Sequence, residues 1–196
     1  MPIQSFKEFL EDRDRQWRDV AYCLHGGDIN NTIDLQHIWI TERRILIWEA
    51  KTKHAYDYYE KSGIEPNPDM DLNEQIAFSQ LWIFGLYEIV RRLKQSLRKI
   101  TVVDGPGFPP PYQHLDSWFR DLELVRIPLA KHQPKGVTKT HYAQYGLNTP
   151  TGSVVWGVYC NRRRCMVDIC RRDIADEFLR LASRVRQDKN LPNIRQ

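Results

Sequence analysis

The chain has 196 residues, of which 41% are hydrophobic and 28% charged, with a formal net charge of +4. That length suits one domain with a real core, and the composition is too apolar for disorder and too broken by charge for a membrane span of about 20 residues. The N-terminal stretch MPIQSFKEFLEDRDRQW lacks the apolar run of a secretory signal, so a cytoplasmic location without membrane association is expected.

In chain order, Phe6, Phe9, Leu10, Trp17, Val20, Ala21 and Leu24 recur at helical spacing, and His25, Gly26 and Gly27 supply a stop. A long second helix is predicted from a cap at Thr32 to about Lys61, followed by the loop SGIEPNPD, whose prolines restrict the residues before them. The third, NEQIAFSQLWIFGLYEIVRRLKQSLRK, carries apolar residues on so wide a face that it is expected at the centre of a bundle. Gly85 in its middle costs about 1 kcal/mol relative to alanine, which points to a close approach by another helix.

After the proline-rich loop DGPGFPPPY, helical spacing resumes from His114 to Arg126 and runs into LVRIPLAKHQPKG. Residues 137–152 read as an irregular connector. The period then changes to two: Val154, Trp156, Val158 and Cys160 alternate, a polar turn follows, and Cys165–Cys170 return, predicting a two-stranded hairpin. Asp173 is the expected cap of a last helix that packs back on the body. The fold class is thus mainly α: a helical bundle core over 1–136, the connector, and a hairpin plus final helix over 153–196, all in one domain.

Chemistry-bearing residues are sparse. Cys23, Cys160, Cys165 and Cys170 form no CxxC pair and have no histidine at ligand spacing, so they are expected to be free thiols with packing roles. Neither HExxH nor a P-loop nor GxGxxG occurs, and no metal or cofactor is expected. Residues 91–99, RRLKQSLRK, hold five cations and no acid, and a second cluster comprises Arg162 to Arg164 with Arg171 and Arg172. Such runs suit a polyanion, or else a solvated surface.

Arg126 and His132 offer a different kind of chemistry. Cleavage of RNA by its own 2′-hydroxyl needs a base, an acid, and positive charge for the phosphorane-like transition state. His132 titrates near neutral pH, and Arg126 presents a permanent fork of donors. One copy of each is short of an acid, which a symmetric homodimer would supply. On a straight helix the two would lie about 9 Å apart along the axis and about 120° apart around it. Pro128 removes a backbone hydrogen bond and crowds the preceding turn, so the helix is expected to kink or restart there, releasing the pair from that geometry. Lys131 and Lys135 would add phosphate-binding charge, as would Arg91 and Arg92. Glu88 is expected to pair with Arg91 or Arg92, or to orient Arg126. A second match, Arg18 with His25, reads more simply as a helix C-terminus.

Helices around an Arg-x4-6-His motif resemble the HEPN superfamily over about residues 32–136. That resemblance implies an all-helical fold and, in its enzymatic members, metal-independent endoribonuclease activity at a homodimer cleft, with Arg126 and His132 as the positions carried over. HEPN enzymes commonly place a polar residue after the arginine, where this chain has Ile127. Two functions follow as expectations: a metal-independent ribonuclease of a toxin or defence system, or a non-catalytic module binding RNA, a nucleotide or a protein partner.

Overall fold

The computed structural model describes residues 3–24, 29–64, 72–101, 107–110, 112–130, 143–160 and 163–187. Five helices are formed, α1 (Ile3–Leu24), α2 (Ile29–Ser62), α3 (Leu72–Thr101), α4 (Leu115–Ala130) and α5 (Arg171–Gln187), with a 3-10 turn at Tyr112–His114 before α4. Between α4 and α5 lie β1 (Gln144–Asn148), β2 (Ser153–Cys160) and β3 (Cys165–Cys170). The fold is mainly α, with the hairpin and final helix following the helical part as the sequence predicts.

Two compact units share the long helices. The first takes the described residues of Met1–Ile40, Gly85–Arg120 and Ala175–Gln196; the second those of Thr41–Phe84 and Asp121–Ile174.

In the first unit, Phe178 of α5 sits between two indoles, with ring centroids 5.7 Å from Trp17 and 4.7 Å from Trp118. These large rings bury the most apolar area per residue and set the centre of this core. Arg13, almost wholly buried, reaches Asp176 at 2.6 Å, and His114 Nε2 lies 3.0 Å from the Leu181 carbonyl oxygen, so α5 is tied down at both ends of its contact. The expected close approach at Gly85 is present: a Cβ there would stand 2.7 Å from Ile38 Cδ1 on α2.

In the second unit the sheet has the order β1-β2-β3, antiparallel throughout, with Trp156 opposite both Tyr145 and Ile169. Val154, Trp156 and Val158 are completely buried, because alternate residues of β2 share one face. The turn between β1 and β2 closes through Gly152 N–H to the Asn148 carbonyl at 2.7 Å. Gly152 has φ +70°, and a side chain there would overlap the Glu49 carbonyl oxygen and stand 2.9 Å from Lys53 N.

Several expectations are corrected. β1 lies inside the stretch 137–152 expected to be irregular, so the hairpin is part of a three-stranded sheet. Its sequence, QYGLN, shows no alternation of its own, and its order comes from pairing with buried β2. The last helix starts at Arg171, and Asp173 lies in its first turn. Its early backbone donor at Arg172 is satisfied by the Ser153 hydroxyl at 3.3 Å, a cap supplied by β2 rather than by the local sequence. α2 begins at Ile29, upstream of Thr32.

α4 continues through Pro128 to Ala130 and does not restart there. Pro128 forfeits the bond to the Leu124 carbonyl and crowds that turn, yet the described helix continues two residues past it.

Candidate functional site

Arg126 stands in the last two turns of α4, half-buried, followed by exposed Ile127 and half-buried Pro128. It is an interior helical residue and not the first residue of a new element. His132, Lys131 and Lys135, and likewise His25, lie outside the described residues. The sequence-level geometry of the Arg126 and His132 pair therefore reduces, among the described residues, to the placement of Arg126 alone.

The basic run of α3 is largely neutralised by its neighbours in the first unit. Arg91 Nη2 meets Glu88 at 2.8 Å, one helical turn away, and Arg92 forms an ion pair with Asp34 of α2. Glu88 thus takes the pairing with Arg91 that its spacing predicts. Lys94 lies 3.6 Å from Asp116 and about 5 Å from the ring centroids of Phe108 and Phe119, so its charge faces two π clouds and a carboxylate. Arg91 and Arg92 remain partly exposed and keep a share of their donors for a further anion.

The second basic cluster divides. Arg163 and Arg164 are exposed at the β2–β3 turn, with Arg164 at φ +52°. Arg171 is fully buried and Arg172 mostly so. Both guanidiniums are spent on Glu49 of α2. Arg171 Nε donates to Glu49 Oε1 at 2.7 Å, and Arg172 Nη2 and Nε donate to Oε2 at 2.6 and 3.0 Å. The Ser153 hydroxyl adds a bond to Glu49 Oε1 at 2.8 Å, and Arg171 Nη1 lies 3.4 Å from Glu42 Oε1. Two carboxylates and two guanidiniums balance, which is how buried charge is tolerated. Burial alone would lower the Arg171 pKa; the facing Glu49 and Glu42 carboxylates outweigh it and hold the guanidinium above its ordinary value.

A neutral extension of this network reaches α3. Thr52 Oγ1 donates to Gln75 Oε1 at 2.9 Å, and Gln75 Nε2 donates to the Gly152 carbonyl at 2.7 Å. Sequence reading missed the set because Arg171 and Arg172 look like surface charge. One signal was available: Glu42 and Glu49 fall on the same helical stripe of α2 as Leu35, Ile38, Ile45 and Leu46, where an acid requires a partner.

The four cysteines are free thiols; Cys170 is buried, Cys23 and Cys160 are half-buried and Cys165 is exposed, so the packing role expected of all four is not met at Cys165. Among the described residues no group of three or more His, Cys, Asp or Glu side chains is placed to hold a metal ion, and no helix is long and apolar enough to cross a membrane. Arg18 pairs with Asp14, one turn earlier on α1, and both line a pocket of about 240 Å³ with Trp17, Gln36, Trp39 and Ile40.

No protein-family model, curated protein or solved structure matches this chain.

Proposed function

We propose that this chain is a HEPN-like RNA-binding module, cytoplasmic and homodimeric, in which Arg126 anchors a phosphate. The observation that carries the reading is the position of Arg126 on α4: half-buried, inside an unbroken helix, and followed by a segment bearing Lys131, His132 and Lys135. A half-buried arginine on a regular element is held more rigidly than one on a loop, and its guanidinium fork matches two phosphate oxygens. Arg91, Arg92, Arg163 and Arg164 add exposed or partly exposed charge for a polyanion.

A second reading is metal-independent endoribonuclease activity in a toxin or defence setting, with Arg126 and His132 of both protomers at the dimer cleft. It is favoured by the half-buried, helical position of Arg126, since a developing phosphorane charge requires a cation held in place.

One experiment separates the two. Full-length protein is incubated with a labelled single-stranded RNA pool in EDTA, beside Arg126→Ala and His132→Ala. Retention that Arg126→Ala weakens, without new RNA ends, supports the binding module. Cyclic-phosphate ends that both substitutions abolish support the enzyme. No retention at low salt sinks both.

A further inference from the structure

One side of α2 carries a pattern that neither the fold nor the RNA reading uses. Ile33, Ile40 and Ile47 recur every seven residues, and all three are exposed, from 38% to 56%. Arg43, Arg44 and Lys51 are exposed on the same side, with no ion-pair partner among the described residues. Gln36, His37 and His54 complete it. At 100° per residue these positions fall within an arc of roughly 120°, and the stripe is about 32 Å long. Because α2 is one continuous helix, its own geometry sets this common face.

No acid is exposed between Ile33 and His54. Asp34 is half-buried against Arg92, and Glu42 and Glu49 are buried. The face is therefore apolar along its middle and basic at its flanks. Next to it, in the first unit, lies the 240 Å³ pocket, lined by Ile40 and Gln36 from the stripe, by Trp17 and Trp39, and by Asp14, whose charge is taken up by Arg18. Trp17 Nε1 is buried without an acceptor among the described residues. A pocket of this kind accepts one bulky anchoring side chain, which is where binding energy concentrates in helix recognition.

We propose that this face of α2 docks an amphipathic helix of a partner protein, apolar at heptad spacing and acidic at its flanks. Isoleucines seven apart match the repeat of a facing helix, and Arg43, Arg44 and Lys51 select carboxylates beside its apolar seam. A second copy of this chain fits poorly, because cations would then face cations. RNA fits poorly as well, because three isoleucines along the centre would lie against phosphates without an apolar partner. The surface is separate from Arg126 on α4, so it does not depend on the RNA reading.

The test uses a fluorescein-labelled designed peptide of about 20 residues, with leucines at heptad positions a and d and glutamates flanking them, and a twin with lysines in place of the glutamates. Anisotropy is followed on titration with the full chain. The glutamate peptide is expected to bind and the lysine peptide not. Ile40→Asp with Ile47→Asp, and separately Arg43→Glu with Arg44→Glu, should each weaken binding about tenfold or more. These side chains are exposed, so circular dichroism of the variants should match the parent. The proposal is overturned by a glutamate peptide that does not bind, by equal binding of the two peptides, or by binding that neither double variant weakens. Sedimentation showing self-association that Ile40→Asp abolishes would assign the face to a second copy instead. RNA retention lost in Arg43→Glu with Arg44→Glu would assign it to nucleic acid, and either result also overturns the proposal.

Discussion

Arg171 Nε and Glu49 Oε1 meet at 2.7 Å with both side chains completely excluded from solvent. The contact joins residues 122 positions apart and fixes the start of α5 to the middle of α2 within the second unit. Removing Glu49 leaves buried Arg171 with only Glu42 at 3.4 Å, and removing Arg171 leaves buried Glu49 to Arg172 and Ser153, so either loss unbalances charge in a low-dielectric interior. Glu49→Gln or Arg171→Met should each lower unfolding stability by about 3 kcal/mol or more, read by chemical denaturation. Glu49→Gln combined with Arg171→Met should cost clearly less than the sum of the two singles. Additive losses would show that the two charges do not stabilise each other.

Gly152 tests the turn that leads into this network. Its φ of +70° and its closeness to the Glu49 carbonyl leave no room for a side chain. Gly152→Ala should destabilise by about 2 kcal/mol or more, whereas Gly146→Ala on β1, where a Cβ meets nothing within 4 Å, should change stability little. Thermal unfolding of the two variants makes the comparison.

How much of this was legible beforehand differs by element. The helices could be read because apolar residues such as Trp82, Leu86, Ile89 and Leu93 recur at one period, and the hairpin because Val154, Trp156 and Val158 alternate at another. β1 was not legible, since QYGLN gains its order from a strand next to it rather than from its own pattern. Arg171 was not legible either: a guanidinium in a basic run looks the same whether it faces water or Glu49, and only the tertiary fold decides. At Pro128 the described helix runs on to Ala130, so the proline did not mark the start of a new element.

Gly85 offers a case where local and tertiary preferences oppose each other. Alanine gains about 1 kcal/mol in helix propensity but places Cβ 2.7 Å from Ile38 Cδ1, the movable tip of a side chain. Gly85→Ala alone should be neutral or mildly destabilising. Gly85→Ala with Ile38→Val, which removes that methyl, should be more stable than Ile38→Val alone, as measured by urea unfolding.

Tyr112 gives a pH dependence. Burial, with a smaller contribution from Cys23, raises the pKa of its phenol above the usual value. A raised folded pKa means the stabilisation is complete below the unfolded pKa of about 10 and is lost as pH rises through the folded value. The stability of the parent relative to Tyr112→Phe should therefore be constant up to about pH 10 and fall above it. A difference between the two that stays flat across the alkaline range would contradict this.

Phosphate anchoring by Arg126 is tested by the affinity of the full chain for labelled single-stranded RNA as a function of salt. Binding should weaken with salt, and an Arg126→Ala variant, folded as judged by circular dichroism, should bind less tightly with a salt slope shallower by about one. Identical affinity and slope for the variant and the parent, or no binding at low salt, would contradict it.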